Sequence, residues 1–305
     1  MLLRTPLLKA ADSAFLQRQV TSRRVTRNLA LRYVAGETLD EGLAVTRTLA
    51  AQGRSVTFDY LGEAVSTEDE ARAASKIVLE AIDRIGQEQL PAGVSVKPTQ
   101  MGLERSPELC AELLDEICQA AGRIGQHVTF DMEGSSVTEP TVAMVERLRA
   151  TGHGDVGCAV QSYLYRTRAD VERLTAAGAS LRLCKGAYAE PPEVAFQSRA
   201  EVDISYADCA TYLLERGVYP RIATHDVRLI DHVKRTVARL GKELDDFEFQ
   251  MLYGVRASLQ DALVNEGYRL RVYVPFGHQW YPYFMRRLAE RPANIIFFLR
   301  SLRDT

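Results

Sequence analysis

The stretch VTFDYLGEAVSTEDEARAASKIVLEAIDRIGQEQLPAGVSVKPT, residues 56–99, contains a short apolar segment, a long amphipathic segment and a second short apolar segment. Its apolar segments, 56–61 and 93–99, are rich in β-branched, aromatic or other apolar residues, which is typical of strands buried on both faces. The segment between them opens with Ser66 or Thr67 followed by acidic residues, which is typical of a helix N-terminus. The stretch therefore predicts a strand, a helix and a second strand.

The same alternation continues along the chain. Further strands are predicted at 127–133, 157–163, 180–188, 221–226, 247–252 and 270–276, with amphipathic segments between them. Eight alternations over about 245 residues match the length of a (β/α)₈ barrel. An open doubly wound sheet is the alternative, but no G-x-G-x-x-G or Walker-type glycine loop follows the first strand. We therefore predict an α/β fold with a TIM-type (β/α)₈ barrel over 54–305, preceded by an N-terminal helical arm over 1–53.

Composition and charge narrow the class of protein. The 305 residues have a net charge of −2, which gives no electrostatic reason to expect nucleic acid as the main partner. No signal peptide is predicted, because the apolar clusters near the N-terminus are broken by Arg4, Pro6 and Lys9. Five cysteines without a C-x-x-C pair indicate a reducing compartment. We expect a cytoplasmic protein, with loose contact to a membrane surface left open.

Polar side chains occur at the carboxyl end of every predicted strand, where barrel enzymes have their active sites. They are Asp59, Lys97, Asp131, Glu133, Gln161, Lys185, Tyr188, Thr224, His225, Gln250 and Tyr273. One polar strand end is typical of any strand that meets a loop, but eight in succession indicate a functional face.

The residue types at this face leave several chemistries open. Asp131, Glu133 and His225 could hold a divalent metal, although the nearby lysines would compete with it. Lys185 could act as a Schiff-base nucleophile, as in aldolase-type lyases, or could simply neutralise a carboxylate across the barrel mouth. A non-catalytic protein that binds a small ligand is a further alternative.

The segment WYPYFMRRLAE, 280–290, follows the last predicted strand and is expected to form a helix over the barrel mouth. Its Arg286 and Arg287 are adjacent, and Glu290 lies one turn further on. An exposed ion pair is the ordinary explanation, but the preceding turn is too aromatic for a free surface. Two arginines beside aromatic rings suit a ligand with a carboxylate and a small apolar body. Glu290, and Glu63 after the first strand, are predicted to hold the guanidinium groups in place.

Several motifs resemble those of the proline dehydrogenase family, the flavin enzymes that oxidise L-proline to 1-pyrroline-5-carboxylate. The matching stretches, in family order, are LGE (61–63), SVK (95–97), FDME (130–133), QSYLYR (161–166), RLCKGAY (182–188), ATHD (223–226), FEFQMLYGVR (247–256) and YVPFG through MRRLAERPAN (273–294). The resemblance implies a distorted (β/α)₈ barrel that binds FAD over its mouth without a Rossmann loop.

The resemblance also implies a function. The chain is expected to catalyse the first step of proline catabolism to glutamate, to pass electrons to a quinone, and to leave its product to a separate pyrroline-5-carboxylate dehydrogenase. The chain has length for neither the aldehyde dehydrogenase domain nor the DNA-binding segment of bifunctional relatives, so we expect the stand-alone form. The alternative is a flavin oxidoreductase for hydroxyproline or another cyclic amino acid, because one added hydroxyl needs only a small change of pocket.

By the same resemblance, Arg286, Arg287 and Lys97 are expected to hold the proline carboxylate, while Tyr273, Tyr283 and Leu252 pack against its ring. Asp131 is the expected catalytic aspartate, with the task of orienting Lys97 and the substrate. Arg182 is expected beside the flavin, where it favours the negative charge of the reduced ring. The expected cofactor contacts are Met132, Gln161, Arg182, Lys185, Gly186, Ala187, Tyr188, Thr224 and His225. Two positions depart from the family pattern: Ala189 stands where some relatives have tryptophan, and Cys184 where valine is common.

Overall fold

The computed structural model describes residues 18, 20, 21, 24–62 and 65–290. Its strands are β1 (Ser55–Tyr60), β2 (Ala92–Val96), β3 (Val128–Phe130), β4 (Val156–Gln161), β5 (Arg182–Cys184), β6 (Arg221–Ala223), β7 (Glu248–Leu252) and β8 (Leu270–Phe276). Its helices are α1 (Arg24–Ala30), α2 (Leu39–Ala51), α3 (Glu68–Gln87), α4 (Pro107–Arg123), α5 (Thr138–Ala150), α6 (Thr167–Ala176), α7 (Arg199–Arg216), α8 (Val227–Leu240), α9 (Ala257–Asn265) and α10 (Trp280–Glu290). A short 3₁₀ helix, Ser135–Val137, precedes α5.

The eight strands form a closed parallel barrel in chain order. The barrel closes where β1 pairs with β8, over Ser55–Tyr60 and Arg271–Phe276. A helix follows each strand along the chain, and the helices between consecutive strands form the crossover connections that a parallel sheet requires. The predicted (β/α)₈ barrel is therefore confirmed, and the doubly wound alternative is wrong.

Local sequence signals explain where the helices begin. Thr67 accepts a hydrogen bond from the backbone N–H of Glu70, whose side chain accepts from the backbone of Thr67, so the predicted start of α3 is a capping box. Asp226 caps α8 by accepting from the backbone N–H of Arg228. This second cap lies at the carboxyl end of β6, so it also brings a carboxylate to the barrel mouth.

Three strands have half the predicted length or less. The strands β3, β5 and β6 have three residues each, whereas the apolar runs suggested 127–133, 180–188 and 221–226. The residues beyond each strand leave the sheet, and their side chains bond across the barrel mouth instead. Glu133, for example, accepts from the hydroxyl of Thr99 at 2.6 Å and from its backbone N–H at 3.1 Å.

The barrel interior contains a hydrogen-bonded column of charged and polar side chains. Glu248 accepts from Arg271 at 2.7 Å and from the Gln250 amide at 2.6 Å. The Nε of Arg221 lies 3.5 Å from the same Glu248 oxygen. The Gln250 carbonyl in turn accepts from Arg182 Nε at 2.7 Å. The column therefore begins at the amino-terminal ends of β6 and β7, where Arg221 and Glu248 lie, and extends toward the barrel mouth.

The N-terminal helices contact different parts of the barrel. Leu43 and Leu49 of α2 belong to the main apolar core, and α2 packs against β1 and β8. The helix α1 packs instead against α10 in a second apolar cluster above the mouth. The domain boundary at 53/54 stays a prediction. Within the described part of the chain, no helix combines the length and the apolar character needed to cross a bilayer.

Candidate active site

The Asp131 carboxylate is the centre of the polar network at the barrel mouth. It follows β3, and its backbone N–H donates to the carbonyl of Val96 at 2.8 Å, which fixes its main chain. One carboxylate oxygen accepts from the Ser95 hydroxyl at 2.7 Å and from Arg182 Nη1. The other oxygen accepts from the Tyr273 hydroxyl at 2.6 Å. Side chains from β2, β3, β5 and β8 are thus joined at one carboxylate.

Lys97 forms the second ion pair of this network. Its Nζ donates to Asp59 Oδ1 at 2.8 Å, and the nearest oxygen of Asp131 lies 3.9 Å from it. Both Lys97 and Asp59 are buried. In this network, therefore, the two cations Lys97 and Arg182 are paired with the two carboxylates of Asp59 and Asp131.

The buried charges and hydroxyls shift one another's titration. Burial alone raises the pKa of Asp131, but the charges of Arg182 and Lys97 outweigh it and hold that pKa below its usual range. Burial lowers the pKa of Lys97, yet Asp59 and Asp131 raise it above its ordinary value. Burial and the Asp131 charge hold the pKa of Tyr273 well above its ordinary value. Near neutral pH the Tyr273 hydroxyl therefore stays protonated and donates a hydrogen bond to the Asp131 carboxylate.

The helix α10 forms an aromatic wall beside this network. Tyr281, Tyr283 and Phe284 are buried in the second apolar cluster, and Leu252 and Tyr273 pack against that cluster. The structure thus brings together the three residues that were predicted to contact a substrate ring. Arg287 is buried with its guanidinium 5.1 Å from the centre of the Tyr283 ring, whereas Arg286 is half-buried.

The predicted cofactor contacts lie at the ends of β3 to β6. Met132, Gln161 and Thr224 are buried, and Gly186, Ala187 and Tyr188 are half-buried in the loop after β5. The Gln161 amide donates to the backbone carbonyl of Glu133 at 2.9 Å. Thr224 accepts from the backbone N–H of Asp226 at 3.1 Å. These residues line the mouth on the side of β4, β5 and β6, and the aromatic wall follows β8.

Gly186 is required by its backbone and by one neighbour. Its φ is +116°, a conformation that side chains of L-residues rarely adopt. A Cβ at this position would also lie 2.2 Å from Cδ1 of the Tyr163 ring. The family resemblance assigns this glycine to a cofactor contact, and the close neighbour within the chain is Tyr163.

Lys185 belongs to an ion cluster at the rim of the mouth. Its Nζ donates to Asp203 and, at 3.1 Å, to Asp226. Arg199 and Arg228 also donate to Asp226, at 3.1 and 3.2 Å. Hydrogen bonds from these cations keep the pKa of Asp226 below its usual range, although burial alone would raise it. The carboxylates that Lys185 neutralises are therefore Asp203 and Asp226 rather than Asp131.

The three side chains that could have formed a metal site have other partners. Glu133 bonds to Thr99, and Asp131 bonds to Ser95, Arg182 and Tyr273. The Nε2 of His225 accepts from the backbone N–H of Leu252 at 3.0 Å. Over the residues that the structure describes, no group of three or more His, Cys, Asp or Glu side chains is arranged to hold a metal ion.

Some members of the site were not assigned a role from the sequence. Asp59 and Gln250 were recognised only as polar strand ends, and Ser95 and Asp203 were missed. Ser95 precedes Lys97 by two residues on a strand, so both side chains point to the same face, and this period-two relation could have indicated it. Glu63 lies outside the described residues, as does the side chain of Glu290, so their predicted contacts with the arginines stay predictions.

Comparison with known proteins gives the site a family context. The family model for proline dehydrogenase matches residues 43–299. Proline dehydrogenase 2 of Bacillus subtilis (strain 168) is 39% identical over 293 residues, which cover 94% of this chain and 96% of that protein. Proline dehydrogenase of Deinococcus radiodurans is 37% identical over 279 residues, covering 90% of each.

The fold also matches a solved structure. Proline utilization A (PutA) from Bdellovibrio bacteriovorus, crystallised after inactivation by N-propargylglycine, superposes with a TM-score of 0.81 at 27% identity. The match covers 86% of this chain but only 32% of that longer one.

Proposed function

This chain belongs to the proline dehydrogenase family, and we propose that it oxidises L-proline to 1-pyrroline-5-carboxylate with bound FAD, passing the electrons to a quinone. The observation that carries the proposal is the buried Asp131 network beside the aromatic wall of α10. This arrangement combines fixed cations for a carboxylate with an apolar surface for a small ring. The reaction is the first step of proline catabolism, and a separate dehydrogenase is proposed to consume the product.

The residues at the mouth fit FAD by the chemistry of their donors. Arg182 Nη2 is buried and has no hydrogen-bond partner among the described residues, so a donor is left over inside the site. Lys185, Gln161, Thr224 and the loop at Gly186 supply further donors along one side of the mouth. Carbonyl and phosphate oxygens of FAD are suitable acceptors for such a set. The bound flavin supplies the hydride acceptor, which no protein side chain can replace.

The proposed substrate pose follows from the charges and the aromatic wall. Lys97, Arg286 and Arg287 are the cations assigned to the carboxylate of proline. The hydrogen bond from Lys97 to Asp59 limits the motion of Lys97, so its ammonium is already oriented when the substrate binds. Tyr273, Tyr283 and Leu252 are assigned to the pyrrolidine ring, which they would hold flat and shield from water.

Asp131 is proposed to position other groups rather than to take a proton. Its lowered pKa makes it a weak base, and its side chain bonds to Ser95, Arg182 and Tyr273, which all belong to the site itself. Its carboxylate holds the Tyr273 hydroxyl proton at Oη and thereby fixes the tyrosine ring. The same carboxylate holds Arg182, whose guanidinium lies 5.2 Å from the centre of that ring. Arg182 would then stabilise the negative charge of the reduced flavin.

The lysine-nucleophile alternative is less well supported by the geometry. A Schiff-base lysine needs a neutral amine that can reach the substrate. The Lys185 ammonium instead bonds to two carboxylates, Asp203 and Asp226, at the rim of the mouth.

Anaerobic turnover, with the product identified by its mass, tests the proposal. Purified protein is supplied with FAD, L-proline and a soluble quinone analogue without oxygen, and the product is identified by mass spectrometry. We expect loss of two hydrogens from proline and reduction of one quinone per product. Turnover of hydroxyproline but not proline would move the substrate assignment to the related cyclic amino acid. A colourless protein that yields a borohydride-trapped lysine adduct would overturn the proposal.

A further inference from the structure

The helix that carries Arg286 and Arg287 is covered on its outer side by the N-terminal segment. Leu29 and Ala30 of α1, with Tyr33 and Val34 of the following turn, belong to the same apolar cluster as Phe284. The barrel mouth covers the opposite side of α10 through Leu61, Val255, Leu252 and Tyr273. The orientation of α10 therefore depends on the N-terminal segment as well as on the barrel.

The backbone of this segment is attached to the barrel mouth. The N–H of Ala35 donates to the carbonyl of Pro275 at 2.8 Å, and the N–H of Gly277 donates to the carbonyl of Gly36 at 3.0 Å. At Gly254, after β7, a Cβ would lie 1.6 Å from the carbonyl oxygen of Arg32, so the two backbones are in direct contact. These contacts bring the next residue, Glu37, to the start of α10.

Glu37 joins three elements, two through its carboxylate and one through its backbone N–H. It accepts from the indole N–H of Trp280, the first residue of α10, at 3.1 Å. It also accepts two hydrogen bonds from Arg27 of α1, at 3.1 and 3.0 Å. Its backbone N–H donates to Glu41 in the first turn of α2 at 2.8 Å. The side chain of Glu37 is 21% exposed, whereas that of Arg27 is 44% exposed, so the carboxylate lies on the inner side of this junction.

We propose that Glu37 is a positioning residue for substrate binding, because it fixes the start of α10 and thereby the placement of Arg286 and Arg287. This inference rests on the proposed function of those arginines. Trp280 precedes Arg286 by six residues, or about 9 Å along a helix axis. Because a helix is stiff over that length, a shift at Trp280 moves both guanidinium groups. A misplacement of about 1 Å at a binding group can weaken its action by up to a hundredfold.

The affected quantity should be KM rather than kcat. The arginines are assigned to the proline carboxylate, which does not change during the oxidation, so they bind substrate and transition state alike. Loss of such uniform binding raises KM and leaves kcat unchanged. A merely structural loss, by contrast, lowers the amount of active enzyme and leaves KM unaltered.

Glu88 provides a matched control. It accepts two hydrogen bonds from Arg47, at 2.6 and 2.8 Å, and its side chain is 24% exposed. That bidentate pair joins α2 to the end of α3, away from α10. Trp280 is the single tryptophan of the chain, so its fluorescence reports directly on the junction.

The experiment compares the FAD-loaded wild type with Glu37→Ala, Glu37→Gln and Glu88→Ala. We measure kcat and KM for L-proline together with Trp280 emission. In Glu37→Ala we expect a shifted emission and a KM raised at least about fivefold, with kcat within about twofold of wild type. Glu37→Gln can still accept a hydrogen bond from Trp280, so its KM and emission should lie between those of the wild type and Glu37→Ala. Glu88→Ala should match the wild type in kcat, KM and Trp280 emission.

Two results would overturn the proposal: a shifted Trp280 emission with an unchanged KM, or an equal rise of KM in Glu88→Ala. If Glu37→Ala does not fold, Trp280→Phe removes the same hydrogen bond while an aromatic ring remains against Phe284, and KM must still rise. A wild type that does not oxidise proline would refute the proposed function instead, while the emission shift in Glu37→Ala would still report the junction.

Discussion

Replacing Asp131 by asparagine should destabilise the protein far more than the loss of an ordinary ion pair. The side chains of its two cationic neighbours, Arg182 and Lys97, are only 6% and 7% exposed. Arg182 also donates hydrogen bonds to Ser95 and Gln250, and both of these partners are neutral. Asp131→Asn thus leaves a buried guanidinium without its carboxylate, at a cost of about 3–5 kcal/mol. The amide oxygen can still accept one hydrogen bond, so we expect the lower end of that range.

The assay is urea unfolding at a fixed saturating FAD concentration, because a ligand that binds the native state adds its own stabilisation. Glu88→Gln, which removes the charge of an exposed ion pair, should lower the free energy of unfolding far less than Asp131→Asn does. If the buried pair is responsible, adding Arg182→Met to Asp131→Asn should restore part of the loss, with a coupling energy of about 1–3 kcal/mol. Stability of Asp131→Asn within about 1 kcal/mol of wild type, or strict additivity in the double variant, would refute this reasoning.

Three further perturbations test other parts of the site. Gly186→Ala should lower the free energy of unfolding by roughly 2–6 kcal/mol, because it combines a strained φ with a clash against Tyr163. It should also lower the amount of FAD that the protein binds, and a wild-type melting temperature would contradict this. Asp226→Asn keeps a good helix cap but loses an ion pair with Lys185. Flavin quenching titrations should therefore give a Kd for FAD about fivefold higher. An unchanged or lower Kd would count against a role of this ion pair in holding Lys185 in place. The pKa of Asp131 is lowered on folding, so its contribution is present above the unfolded pKa of about 4 and is lost as pH falls through the folded value. The stability gap between wild type and Asp131→Asn should therefore be constant from about pH 6 to 8 and begin to shrink below about pH 4; a gap that is undiminished at pH 3 would contradict the assignment.

The barrel could be predicted from the sequence because its strands are buried on both faces and appear as short apolar runs. The ends of those runs were less informative. The run after Arg182 continues to Tyr188, yet β5 ends at Cys184, and the side chain of Lys185 bonds to Asp203 and Asp226 at the rim of the mouth. Periodicity reports burial, and burial does not distinguish a residue in the ladder from one in a packed loop.

The site was predictable where its residues end strands and unpredictable where they meet across the fold. Lys97, Asp131 and Tyr273 were found from their positions alone, because parallel strands bring their carboxyl ends together. The pairing of Lys97 with Asp59 rather than with Asp131 depends on barrel register and could not be derived from spacing. Glu37 is an extreme case, since 243 positions separate it from Trp280 and nothing in its own loop indicates the contact.

The most direct test of the central claim is an anaerobic titration of the FAD-loaded protein with L-proline and, separately, with L-prolinamide, followed by flavin absorbance. We expect L-proline to bleach the flavin. L-prolinamide should need a concentration about ten- to a hundredfold higher for the same bleaching, because its uncharged amide cannot form charge-assisted hydrogen bonds with Lys97, Arg286 and Arg287. Equal potency of the two compounds would contradict the carboxylate site, and a flavin that L-proline does not bleach would contradict the proposed function itself.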